Sequence, residues 1–200
     1  MNTNPFTKTV FEAFVDAIIP PAPSHSQKLG NILYIGASDL LIHKYIIWTL
    51  DQSISLLKNT NYSLSRQTAE LLELAARQLV LNNWNTQPLN HNNHVVFAAL
   101  TPEDRLRSIT LLEKITVNPA YLPYPFNENP RSVLPVIDVI NRLAMFGFYS
   151  EWSGYGTTRL NPPNSRNLES FPIGWIQVKY PGPSKGYHAL RGYLVDMFID

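Results

Sequence analysis

Prolines and asparagine-rich breaks fence this chain into segments, and in five of those segments apolar residues recur at helical spacing. Proline lacks a backbone donor and pushes the residue before it out of the α region, so each fence marks where a helix stops or starts. Pro20-Pro21 closes the first segment. There Thr7 is the expected cap, and Val10, Phe11, Phe14, Val15 and Ile18 form one apolar stripe. The second helix is expected from Ser38 to Lys58, with Leu41, Tyr45, Trp48, Ile54 and Leu57 recurring before the break at Asn59-Thr60-Asn61. The third spans Ser65 to Asn82 on Leu64, Thr68, Leu71, Leu72, Ala75 and Leu79. An asparagine-rich loop follows to Asn93. Thr101-Pro102-Glu103-Asp104 then supplies a cap, a proline at the first helical position and acids in the first turn. That fourth helix is expected to bury Leu106, Ile109, Leu112 and Ile115 and to stop at Asn118-Pro119. Residues 118–130 read as an extended connector. A fifth helix starts near Ser132, holds Pro135 in its first turn and turns Val136, Ile137, Ile140, Leu143 and Ala144 inward, ending near Gly147.

Beyond Ser150 the helical period is lost. Residues 150–200 hold six of the nine glycines, and a last helical pattern returns from Tyr187 to Phe198. The expected fold is therefore all-α: one domain over residues 1–200, with about five helices across residues 6–149 and an irregular Pro/Gly/aromatic-rich tail over 150–200. A long structureless stretch in a folded domain has to lie on something. Trp152, Tyr155, Phe171, Trp175, Tyr180 and Tyr187 either cover the chain's own helices or face a partner, since such residues are enriched in interface cores.

Composition removes several function classes. The absence of cysteine excludes disulfide frameworks, cysteine-ligated metals and cysteine nucleophiles. A net charge of +1 gives no polyanion-binding balance. Arg159, Arg166, Lys179, Lys185 and Arg191 put cations among the tail aromatics, a pattern that can bind single strands, but with this net charge nucleic acid is not the expected partner. The N-terminus shows neither a basic region nor an apolar core, so the expected location is cytoplasmic. The stretch Ile32–Leu50 is interrupted by Asp39, His43 and Lys44, and no membrane span is expected.

Catalytic patterns are thin. Gly182-Pro183-Ser184-Lys185-Gly186 has the spacing of a nucleophile elbow, but His188 precedes Asp196, the reverse of the order that fold uses, and a proline–glycine turn is the better reading. His91 and His94 sit in an asparagine-rich loop without a third ligand. His43 is placed to contact Asp39 one helical turn away, and Glu12 and Asp16 read as a solvated face. No catalytic, cofactor-binding or metal-binding residue is assigned.

The run Phe11-Glu12-Ala13-Phe14-Val15-Asp16-Ala17-Ile18-Ile19-Pro20-Pro21 resembles the opening of the gluconate 2-dehydrogenase subunit 3 family. Gly36-Ala37-Ser38-Asp39 is similar to that family's next segment. The resemblance is strongest in the tail, in Phe148-Tyr149-Ser150-Glu151-Trp152-Ser153-Gly154-Tyr155-Gly156, and continues through Phe171-Pro172, Gly174-Trp175 and Tyr180-Pro181-Gly182-Pro183. It implies a small helical accessory subunit that is not catalytic by itself. Such a subunit binds and stabilises or matures an FAD-dependent large subunit of the glucose–methanol–choline type, which oxidises a sugar or alcohol, and a cytochrome subunit often takes the electrons. FAD is then expected in the partner and no cofactor in this chain. Many members carry a twin-arginine export signal, which this N-terminus lacks. Trp152, Tyr155, Trp175, Tyr180, Pro181 and Gly182 are the expected docking surface. The rival expectations are a self-assembling helical structural protein and a stand-alone enzyme using His43, His188 and a tail carboxylate.

Overall fold

The computed structural model describes residues 4–23, 31–55, 63–89, 94–114 and 118–182. It is all-α, with no strand among the described residues. In chain order the helices are α1 (Pro5–Ile18), α2 (Ile42–Ser55), α3 (Leu64–Leu81), the short α4 (Val96–Ala99), α5 (Pro102–Glu113), α6 (Val133–Tyr149) and the short α7 (Ile173–Gln177), joined by 3₁₀ turns and loops. The five long ones are those that the periodicity predicts.

Their starts show which local signals win. α1 begins two residues before Thr7, because Asn4 Oδ1 accepts the Phe6 amide at 2.9 Å and Pro5 fills the first helical position. Thr7 is buried instead. α2 begins at Ile42 rather than Ser38. Leu41 takes a left-handed φ of 57°, which no helix accommodates, and Asp39 Oδ2 accepts the Gly36 amide at 2.9 Å. Ser63 Oγ caps α3 through the Arg66 amide at 3.2 Å, and Asp51 of α2 accepts the Ser65 amide at 3.1 Å and its hydroxyl at 3.0 Å. Thr101 Oγ1 caps α5 through the Asp104 amide at 3.2 Å, as predicted. The Asp104 carboxylate reaches sideways to the amide and hydroxyl of Thr86, at 2.8 and 2.7 Å, and pins the loop after α3.

α1 is the central helix and packs against α2, α3, α4, α5 and α6. Val10, Phe11, Phe14 and Val15 are wholly buried, and Phe11 and Phe14 meet edge to face. The face of α5 turned inward carries Asp104, Ser108, Ile109 and Leu112. Leu106, expected in that stripe, lies off this face and is exposed.

Two charged groups act as internal clamps. Glu73 on α3 accepts the amides of Val96 and Phe97 at 3.0 and 2.9 Å, which serves as the cap that Val95 cannot supply for α4. Arg105 on α5 donates to the carbonyls of Ala98 and Ala13, at 2.8 and 3.2 Å, and pairs with Asp16 at 2.9 Å.

After α6 the tail lies on the helices. Ser150 Oγ accepts the Trp152 amide at 3.3 Å and a 3₁₀ segment runs Glu151–Thr158 against α6 and α2. The Gly154 carbonyl accepts the amides of Glu169 and Ser170 at 2.8 and 3.1 Å, so the tail folds back on itself. A Cβ on Gly154 would stand 2.6 Å from the Ser170 carbonyl oxygen, which is why that approach needs glycine. α7 then lands on α6 and on the 3₁₀ turn Asn31–Tyr34.

Candidate partner-docking surface

The six residues expected to form a docking surface fall into two groups, and half of them face inward. Trp152 is 2% exposed: its ring lies 5.1 Å from that of Tyr45, and its Nε1 donates to the Leu41 carbonyl at 3.4 Å. Trp175 is 5% exposed and its Nε1 donates to the Tyr149 carbonyl at 2.9 Å. Gly182 is buried beside the rings of Phe171 and Trp175. Their burial has a simple cause. An indole has one donor and a large apolar area, and at both positions a helix-end carbonyl and a neighbouring ring satisfy it inside the chain. Tyr155 is half-buried beside Arg166, while Tyr180 and Pro181 are exposed.

The exposed apolar area lies next to these anchors. Met145, Phe146 and Tyr149 stand on the outer face of α6, and Val178 and Tyr180 rise beside them from the chain after α7. Phe146 is the most open of the five, at 63%. Phe146, Tyr149, Ser150, Glu151, Trp175, Val178 and Tyr180 line a groove of about 430 Å³. An adjoining hollow of about 570 Å³ is walled by Asn141, Arg142, Met145, Phe146 and Tyr149. Rings interlock at the groove floor: Trp175 meets Phe171 and Tyr180 edge to face, with ring centres 5.4 and 4.9 Å apart.

The α6 half of this surface lies outside the inward stripe of Val136, Ile137, Ile140, Leu143 and Ala144 that the periodicity predicts. The signal was there, because α6 is apolar nearly all round. The segment Pro130–Tyr149 has a mean hydropathy of 1.3, enough by length and composition to cross a membrane, with 39% of it buried. α6, not the Ile32–Leu50 stretch, is thus the apolar helix to explain. Asp138 and Arg142, paired at 2.9 Å, stand exposed on its outer side.

The other candidates resolve as structure. His43 is wholly buried and neither ring nitrogen has a hydrogen-bond partner. Its Nε2 stands 3.4 Å from Glu12 Oε1 without hydrogen-bond alignment. Burial lowers its pKa to about 4 against the opposing pull of Glu12, with Lys44 and Lys8 adding to the lowering. A neutral imidazole sealed in the core cannot reach a substrate. Glu12 and Asp16 are not a free solvated face, since Glu12 also pairs with Lys8 at 3.5 Å and Asp16 with Arg105. Arg166 stacks over Trp48 at 4.8 Å and donates to the Asn161 carbonyl at 2.9 Å. Arg159 lies 6.0 Å over Trp152 and donates to the Gly156 carbonyl at 2.7 Å. These two cations are therefore engaged within the chain, on the tail and on α2. Among the described residues no three His, Asp or Glu side chains group as a metal site. His91, His188, Ser184, Lys185, Arg191 and the Tyr187–Phe198 pattern lie outside the described residues.

Trp152, Gly154, Gly174 and Trp175 form the seam between tail and helices. Gly154 and Gly174 permit the close approaches, and Trp152 and Trp175 are the anchors. Compared with protein-family models, with curated proteins and with solved structures, the chain matches none.

Proposed function

We propose that this chain is a non-catalytic subunit that binds and stabilises a larger protein through the outer face of α6 and the groove beside Tyr180. The observation that carries the reading is the contiguous exposed apolar surface of Met145, Phe146, Tyr149, Val178 and Tyr180. Monomeric surfaces seldom expose large side chains in one cluster unless something covers them. The partner we propose, on the resemblance of the Phe148–Gly156 and Phe171–Gly182 runs, is the FAD-bearing large subunit of a sugar or alcohol dehydrogenase. In this reading the flavin and the chemistry belong to the partner, and a stabilising interface of that kind buries about 2,000 Å² or more.

The test is isolation of the tagged chain from its host, followed by a visible absorption spectrum and mass spectrometry of the eluate. A stoichiometric flavoprotein that is lost with Phe146→Ser supports the reading. A colourless chain that elutes alone overturns it, and a concentration-dependent dimer by light scattering supports self-assembly in its place.

A further inference from the structure

Along the outer side of α6, Pro135, Val139, Arg142, Phe146 and Tyr149 are exposed and make one row. Steps of four and three average 3.5 residues, the repeat with which one helix keeps an unbroken seam on another. Val139, Phe146 and Tyr149 in that row are large and apolar, where the outer face of a surface helix ordinarily carries polar residues. Taking this face as the dock proposed above, we infer that the partner meets the row with an amphipathic helix of its own, laid along α6 with an acid toward Arg142 and a base toward Glu151.

Four features choose a helix over other occupants. The first is length. The row from Pro135 to Tyr149 runs ~21 Å, which about four turns of a partner helix match. The second is relief. Two recesses, of about 430 and 570 Å³, adjoin at Phe146 and Tyr149, and Val178 and Tyr180 help to wall the first of them. Side chains one turn apart on a helix enter such recesses as ridges enter grooves. The third is charge. Arg142 stands in the wall of one recess and Glu151 in the wall of the other. A helix with opposite charges on the two flanks of its apolar stripe meets both. A lipid core meets neither, and Asp138, paired with Arg142 at 2.9 Å, adds another charge to the same face. The fourth is the backbone. Extended segments commonly dock by adding a strand to a sheet edge. There is no strand among the described residues, and the amides of α6 bond inside the helix.

The test places the photoreactive residue p-benzoylphenylalanine at Val139 in one full chain and at Phe146 in another, both exposed positions, with exposed Leu81 at the end of α3 as the control. Each chain is produced in its host, irradiated and read by mass spectrometry of the cross-linked peptides. Val139 and Phe146 are seven residues apart in one helix, a rise of ~10.5 Å. The expected result is adducts on one segment of one partner protein, about seven residues apart, with an acid between them, and few adducts from Leu81. Adducts about three residues apart mean an extended segment, and adducts on unrelated segments mean an irregular surface; either overturns the inference. Adducts within the chain, or to a second copy of it, give the face to the chain itself and overturn it too, as does a yield of protein adducts no higher than at Leu81. A segment of helical spacing without an acid between the adducts overturns the charge assignment. Failure here is separable from failure of the flavoprotein reading. Helix-spaced adducts on a protein without flavin sink that reading and keep this one, while a captured flavoprotein with adducts at extended spacing does the reverse.

Discussion

Gly174→Ala separates helix propensity from packing, because the two predict opposite signs. Gly174 sits inside α7, and on propensity alone alanine stabilises a helical position by about 1 kcal/mol over glycine. The structure predicts the reverse. A Cβ there would stand 2.2 Å from the Phe148 carbonyl oxygen and 3.0 Å from Tyr149 Cα. An ordinary carbon–oxygen contact is about 3.3 Å or more, and both neighbours are α6 backbone, which cannot rotate away. α7 has to lift by roughly 1 Å. That lengthens the Trp175 Nε1 bond to Tyr149, now 2.9 Å, and opens the indole to water. A buried Trp covers ~150–250 Å², worth ~4–6 kcal/mol at ~25 cal/mol/Å² if wholly lost, and the hydrogen bond adds ~1 kcal/mol. Partial lifting costs a share of this, about 2–4 kcal/mol.

The assay is native-state hydrogen exchange. The Trp175 indole and the Tyr180 amide, which donates to the Trp175 carbonyl at 2.8 Å, should exchange about 30- to 1,000-fold faster. Amides of α3 and α5 should change little, because α7 packs on α6 and on the Asn31–Tyr34 turn. Ile176→Ala, on the exposed side of the same helix, is the control and should stay within about 0.5 kcal/mol. Unchanged or slower exchange at Trp175 in Gly174→Ala would refute the packing argument.

Glu73→Ala leaves the buried amides at the start of α4 without acceptors and should destabilise the fold by about 3 kcal/mol in chemical denaturation. His43 sets an acid limit. Its folded pKa of about 4 lies below the ordinary imidazole value of 6.5, so the unfolded chain binds the extra proton. Stability from this group is complete above pH 6.5 and is lost as pH falls toward 4, by a total on the order of 3 kcal/mol. His43→Leu should flatten that part of the pH profile measured by thermal unfolding. Phe146→Ser changes an exposed side chain whose ring stacks on that of Tyr45 at 6.1 Å, so it should cost about 1 kcal/mol in thermal unfolding while partner capture is lost. A large drop in stability would make Phe146 part of the fold rather than part of a dock.

Much of the fold was legible because prolines and helical period are local. Pro20-Pro21, Pro102 and Pro135 mark real ends or first turns, and the α3 stripe is buried as read except for the half-buried Leu64 at its start. What escaped is long-range. The left-handed Leu41 delays α2 and is set by what surrounds the turn, not by leucine. Glu73 and Arg105 sit on helix faces where a charged residue ordinarily meets water, and their roles depend on α4 and α1 arriving from elsewhere in the chain. The tail tryptophans were legible as important. Whether they turn in or out depends on the presence of a carbonyl within reach, and at Leu41 and Tyr149 one is supplied by residues 111 and 26 positions away.

That last distinction bears on how a motif points to an interface. A run such as Glu151-Trp152-Ser153-Gly154-Tyr155-Gly156 can be constrained by an internal seam as tightly as by a partner. Here the glycines admit backbone contacts and the tryptophans fill the seam, so the motif accounts for how the tail is fastened. The fastening is also what holds Val178 and Tyr180 in line with Phe146 and Tyr149. If Gly174→Ala loosens the seam and Phe146→Ser leaves it intact, both should weaken partner capture, the first by losing the shape of the surface and the second by losing its contact. Equal capture by a loosened tail would mean that α6 alone makes the dock, and the motif would then belong to folding and not to recognition.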